Sequence, residues 1–329
     1  MLEIQLAARP VGWPKESDFS KVDAPTPAAG VGEVLVKVEW LSVDPYMRGR
    51  MNDAKSYVPP FALDAPLAGG GVGRVIASDD PTFSVGSIVT GMLRWREFDN
   101  QPVSALTKLE DDGTPLEWYL GALGMPGLTA YVGLLEIGSL KAGETVYVSA
   151  AAGAVGSLVG QIAKIKGARA VGSAGGPDKV RRLAELGFDA GIDYRSTDLR
   201  RALEAACPSG IDVYFDNVGG DHLEAALWNM ADRGRVVMCG AISQYNATAP
   251  SPGPSNLFVA IQRRLRLQGF IVSDHGSAFP SFVRDMKGWI ASGEIENDQT
   301  VIEGLSRTPD ALVALMRGEN LGKMLVKVS

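Results

Sequence analysis

From residue 145 onward, the spacing of apolar positions switches repeatedly between two periods. Residues 145–149 (Thr-Val-Tyr-Val-Ser) form a short β-prone run with no helical repeat, which predicts a buried strand. Val155, Leu158, Val159, Ile162 and Ile165 then recur three and four apart, which is one face of a helix, and Gly167 stops it. The pattern repeats. It predicts further strands over 168–172, 190–193, 211–216, 235–239 and 265–272. Between them it predicts helices over 177–186, 198–206, 221–230 and about 256–264. Strands alternating with amphipathic helices imply a parallel sheet covered on both faces. Six such strands are the usual extent of a doubly wound α/β dinucleotide domain of Rossmann type.

The flanks have another texture. Residues 32–42 and 71–77 alternate with period two, amid short runs rich in Pro and Gly. Residues from about 299 return to strand-like text and end Met324-Leu-Val-Lys-Val328. The expected organisation is a first, substrate-side domain of residues 1–122 and 298–329, with a nucleotide domain of residues 123–297 inserted.

Candidate chemistry begins at the first predicted strand–helix turn. It reads Ala151-Ala152-Gly153-Ala154-Val155-Gly156, a glycine fingerprint whose first glycine is alanine. Gly153 would let the backbone approach a pyrophosphate and Gly156 would let the helix pack on the strand, with the helix N-terminus facing the phosphates. NAD-selecting sites usually carry a carboxylate about 20 residues further on. Here the second strand runs into Gly172-Ser173-Ala174-Gly175-Gly176, with no carboxylate, and Lys179 follows. A neutral loop admits a 2′-phosphate and Lys179 could pair with it, so NADPH is the expected cofactor. Tyr194 and Arg195 end the neighbouring strand, and Arg195 reads equally well as a solvated charge.

Composition narrows the setting. The chain has 329 residues, 32 Lys and Arg against 38 Asp and Glu, and a net charge of −6, so no polyanion-binding surface and no nucleic-acid partner are expected. Two cysteines outside any paired pattern suit a reducing compartment. The start, Met1-Leu-Glu-Ile-Gln-Leu, lacks the features of a signal peptide. No run reaches the about 18 apolar residues of a membrane span. A cytoplasmic protein without membrane contact is the expectation.

Several longer motifs carry a specific resemblance. Leu41-Ser-Val-Asp-Pro-Tyr-Met-Arg48, Gly124-Met-Pro-Gly-Leu-Thr-Ala-Tyr131, Asp212-Val-Tyr-Phe-Asp-Asn-Val-Gly-Gly220, Cys239-Gly-Ala-Ile-Ser-Gln-Tyr-Asn246 and Gly318-Glu-Asn-Leu-Gly-Lys323 occur in order. Together they resemble the zinc-independent medium-chain dehydrogenase/reductases, in the group of prostaglandin/leukotriene reductases, alkenal double-bond reductases and curcumin reductases. The resemblance implies a partly open, GroES-like β-barrel first domain completed by the C-terminal segment, and a homodimer. Zinc members carry a Cys after the strand where this chain has Ser42-Val43-Asp44-Pro45-Tyr46, and a Gly-His-Glu where it has Ala68-Gly69-Gly70-Gly71-Val72-Gly73. The chain's only Cys and His are Cys207, Cys239, His222 and His275, all in the nucleotide half, so no zinc is expected.

The reaction implied is hydride transfer from NADPH to the β-carbon of a conjugated ketone or aldehyde. A donor at the carbonyl oxygen would stabilise the developing enolate. Tyr245, in the loop after the fifth strand, is the first candidate, with Tyr46 and Tyr57 of the first domain as alternatives. Each could instead be an aromatic pocket wall.

Cofactor contacts are expected from Ala152, Gly153, Ala154, Val155 and Gly156, from Ser173, Lys179 and Tyr194, and from Asn217. They are also expected from Cys239, Gly240, Ala241, Ile242, Ser243 and Tyr245, from Phe270, Ile271 and Val272, and from Asn320. Cys239 is read as packing rather than a reactive thiol, and His275 as a solvated loop residue. Asp44 and Asp216 each close a strand beside a Pro or Asn turn, where Asp commonly bonds its own backbone, so neither is read as acid or base. The proline-rich 249–255 loop is a candidate lid. Two other readings stay open: a quinone oxidoreductase, and a non-catalytic NADPH-binding protein.

Overall fold

Two units emerge from the folded chain, Met1–Leu120 with the chain from Gln299 on, and Gly121–Asp298. The computed structural model describes residues 1–328.

In the first unit, β1 (Leu2–Leu6) and β2 (Phe19–Asp23) form an antiparallel pair. β3 (Glu33–Ser42) follows, then the short helix α1 (Tyr46–Arg50), β4 (Ala68–Ser78), β5 (Ile88–Arg94), β6 (Phe98–Pro102) and β7 (Leu106–Lys108). Val34, Val36, Val38 and Leu41 of β3 are fully buried while Lys37 is exposed, as a half-covered strand requires. β3 pairs antiparallel with both β4 and β6. β4 begins at Ala68, three residues before the expected 71–77, because Ala68, Gly69 and Gly70 already pair with β5.

The second unit starts with α2 (Met125–Val132) and enters its sheet at β8 (Thr145–Val148). Then come α3 (Ala154–Ile165), β9 (Arg169–Ala174), α4 (Pro177–Glu185), β10 (Ala190–Asp193), α5 (Leu199–Ala206), β11 (Ile211–Asp216) and α6 (Gly220–Asn229). β12 (Met230–Met238), α7 (Val259–Gln262), β13 (Arg266–Gly269) and α8 (Phe279–Ala291) complete it. The sheet is six-stranded in the order β10-β9-β8-β11-β12-β13 and parallel throughout. That is the doubly wound Rossmann order. Tyr147 and Tyr214 stack at 4.8 Å within the core on one sheet face, together with Val171, Leu203 and Leu227.

Besides shifts of a residue or two, as in β9, some expected boundaries of this unit move further. β12 starts at Met230 rather than 235, because Met230 pairs with Ile211 before a register shift to Val213–Arg235. The helix expected over 256–264 shrinks to α7, and Arg264, at φ +52°, is left-handed rather than helical. The strand expected over 265–272 ends at Gly269, opposite the last residue of β12, Met238.

The chain then returns to the first unit through β14 (Gln299–Glu303), α9 (Thr308–Met316) and β15 (Lys323–Lys327). β15 lies parallel to β14 and antiparallel to β3, with Leu325 opposite Ser42. The C-terminal segment is therefore part of a mixed seven-stranded sheet, order β14-β15-β3-β4-β5-β7 with β6 on β3. Among the described residues no helix is long and apolar enough to cross a membrane.

Candidate active site

The turn between β8 and α3 is held from both sides. The Ala151 N–H donates to the Ser173 carbonyl of β9 (2.9 Å), and Ala150 sits at φ +50°. Ala151 fills the fingerprint's first glycine position because Gly172 makes room: a Cβ there would stand 2.6 Å from the Ala151 methyl. A Cβ on Gly156 would lie 2.4 Å from the Ala150 carbonyl oxygen, so only glycine lets α3 approach this closely. No side chain caps α3, and its first internal bond is from the Ser157 N–H to the Gly153 carbonyl. The N–H groups of Ala154, Val155 and Gly156 are thus available to an anion. Ala152 is buried in this turn.

Around the end of β9, Ser173 is fully buried and its hydroxyl bonds the Tyr147 hydroxyl (2.8 Å). Lys179 is half-buried, and burial together with the nearby Arg195 guanidinium holds its ammonium below the usual lysine range. Tyr194 is 37% exposed, and it covers the buried His222 edge-on at 4.8 Å. Burial pushes His222 down to about 4, so it is neutral near pH 7.

Beyond β11, Asp216 accepts the Val218 and Gly219 N–H groups and the Tyr214 hydroxyl (2.7–2.9 Å). It is therefore a local brace. Asn217 donates its side-chain amide to the Ser149 carbonyl (2.8 Å), which leaves its Oδ1 as an acceptor. The Cys239 and Gly240 N–H groups both go to the Asp216 carbonyl, so a ligand could meet only their carbonyls. Burial pushes the Cys239 thiol up to about 12, far from a reactive thiolate. Ile242 and Ser243 bond back to the 217–218 backbone, and the Tyr245 hydroxyl accepts the Ala241 N–H at 3.3 Å. Phe270, Ile271 and Val272 are half-buried where the chain leaves β13. His275 Nδ1 lies 3.1 Å from Glu136.

In the first unit, Tyr46 is half-buried at the start of α1 and Tyr57 is 61% exposed. Burial, reinforced by the Asp44 carboxylate, raises the Tyr46 phenol above its ordinary value. Asn320 is buried, and its amide donates to the Gly322 carbonyl (2.7 Å), the local turn bond that Asn commonly makes.

Sequence reasoning missed a buried ion pair. Lys323 is 2% exposed and Asp44 4%. Lys323 Nζ donates to Asp44 Oδ1 at 2.7 Å and to the Val43 carbonyl at 2.9 Å. The Ser42 hydroxyl bonds the other Asp44 oxygen. Asp44 thus serves a partner from the far end of the chain rather than its own backbone, unlike Asp216. The available signal was a lysine opening an apolar strand in the Asn-Leu-Gly-Lys motif. Among the described residues no group of three or more His, Cys, Asp or Glu is arranged to hold a metal ion.

Comparison with known proteins gives the class. Residues 3–109 match the family described as the N-terminal domain of oxidoreductase, and residues 154–288 match the family described as zinc-binding dehydrogenase. The chain belongs to the medium-chain dehydrogenase/reductases, in the group of alkenal, curcumin and prostaglandin reductases. It is 45% identical to the NADP(+)-dependent 2-alkenal reductase of Nicotiana tabacum, over 97% of this chain and 94% of that protein. It is 42% identical to the NADPH-dependent curcumin reductase of Escherichia coli, over 98% of this chain and 96% of that protein. The crystal structure of CurA from Vibrio vulnificus in complex with NADPH is similar along 100% of this chain and 99% of that one, with a TM-score of 0.94 and 42% identity.

Proposed function

We propose that the protein uses NADPH to reduce the carbon–carbon double bond of α,β-unsaturated ketones and aldehydes. The observation that carries the reading is the α3 turn, where Gly156 is pressed on Ala150 and no side chain caps the helix, together with the loop 172–176, which has no carboxylate of its own, and Lys179 after it. These residues fit a dinucleotide bearing a 2′-phosphate. Similarity to reductases of alkenals and curcumin supports the choice of substrate class.

When bound, NADPH supplies the hydride that the β-carbon takes, and with one proton at the α-carbon the enone becomes a saturated carbonyl. The chain's own task is to hold the enone and steady the charge that grows on its oxygen. A phenol suits this, since it donates a hydrogen bond without being ionised near pH 7. Tyr245 is the first candidate, and Tyr46 and Tyr57 are the others. Asn217, through Oδ1, is assigned to orient the cofactor. A cytoplasmic homodimer is part of the same proposal.

Two results are expected. Lys179→Ala should weaken NADPH binding about ten- to a hundred-fold, from loss of a charge-assisted pair of about 1.5–3 kcal/mol, and leave NADH binding nearly unchanged. Titration of both cofactors by fluorescence tests this, and equal losses would remove the 2′-phosphate assignment. Exhaustive chelation should leave turnover intact, with no stoichiometric zinc found by elemental analysis. One tightly held zinc per chain would reopen an alcohol dehydrogenase mechanism.

A further inference from the structure

Burying an ion pair is an inefficient way to gain stability, because desolvation consumes most of the attraction and an apolar pair of similar volume often does as well. The Lys323–Asp44 pair is nonetheless fully enclosed, and Met47, Met51, Leu41 and Val43, nearby in sequence, are all fully buried as well. Every partner of the Lys323 ammonium lies in the turn that joins β3 to α1: the Val43 carbonyl and the Asp44 carboxylate, itself steadied by Ser42. The strands beside it continue the connection. The Val43 N–H donates to the Met324 carbonyl (3.2 Å), and the Met47 N–H donates to the Asp44 carbonyl (3.1 Å) as α1 begins.

Two short turns are therefore fastened together. One carries Asp44 and, two residues on, Tyr46. The other carries Asn320 and, three residues on, Lys323, with the Asn320 amide closing it onto Gly322. We propose that the buried Lys323–Asp44 pair is a positioning device for the reaction, fixing the Asn320 turn and the Tyr46 helix start relative to one another. This rests on the reading above, with Asn320 the cofactor contact expected from the sequence and Tyr46 one of the candidate donors to the substrate. Neither Lys323 nor Asp44 touches a reacting atom, and both act through their neighbours. A displacement of about 1 Å in such a support is enough to cost a large factor in rate.

The test is the charge-free double variant Asp44→Leu/Lys323→Met, purified alongside the wild type. Its thermal midpoint should stay within a few degrees, because no buried charge is left unpaired. Its kcat with a simple enone should fall about ten- to a hundred-fold, and its Kd for NADPH, read by fluorescence without substrate, should rise several-fold. Wild-type kcat and Kd in a stable double variant would overturn the proposal and leave the pair purely structural. If the double variant does not fold, Ser42→Ala loosens only one Asp44 oxygen. A several-fold fall in kcat at an unchanged midpoint supports the proposal, and unchanged kcat overturns it. If the wild type reduces no enone, the substrate reading fails, while the NADPH arm still decides the positioning role.

Discussion

Tyr245→Phe should lower kcat about a hundred-fold while NADPH affinity stays put. The substitution keeps the ring, so packing in the loop after β12 is preserved and only the hydroxyl is lost. General acid catalysis by one group is typically worth about 10²–10⁴-fold, and water or ribose hydroxyls can replace part of it, so the lower end is expected. In the structure the hydroxyl accepts the Ala241 N–H, a contact that orients the phenol without needing its proton. Tyr46→Phe and Tyr57→Phe are the controls, since an equal loss in either would move the principal role to the first unit. Steady-state kinetics under conditions where chemistry limits the rate decide it. An unchanged kcat would reduce Tyr245 to a wall of the pocket.

Lys323→Met alone should destabilise the first unit by about 3–5 kcal/mol, because it leaves the Asp44 carboxylate buried without its cation. Asp44 would keep the hydrogen bond from the Ser42 hydroxyl, which cannot neutralise it. Adding Asp44→Leu should recover most of the loss, since the burden lies in the unpaired charge rather than in the missing pair. Urea unfolding of wild type, single and double variants measures this. A single variant within about 1 kcal/mol of wild type would mean that water reaches the site.

The nucleotide unit was legible because its signals are local. The apolar face of α3 recurs at helical spacing within one element, and the alternation of strands and helices orders the rest. Where apolar text had no such constraint, the reading ran too far. Leu257, Phe258 and Ile261 suggest a continuous helix face over 256–264, yet all three are largely exposed and only α7 is helical. The glycine-rich start of β4 carries no alternation, so the expected strand began only at residue 71, although Ala68, Gly69 and Gly70 are paired in the sheet. The Lys323–Asp44 pair spans 279 residues, and no periodicity links two positions so far apart. Motif resemblance pointed to both segments without showing that they meet. For the candidate site, the sequence named positions but not which atoms were already spent. Ser173 Oγ on Tyr147, the Cys239 and Gly240 N–H groups on Asp216, and the Asn320 amide on Gly322 are three-dimensional facts.

The most direct test of the account follows the hydride itself. A simple enone is reduced with NADPH carrying deuterium at C4, in each of the two stereospecific forms, and the product is examined by NMR. The account predicts deuterium at the β-carbon from one of the two forms, a solvent proton at the α-carbon and an intact carbonyl. Deuterium on a carbinol carbon, or turnover confined to quinones with the enone untouched, would contradict it.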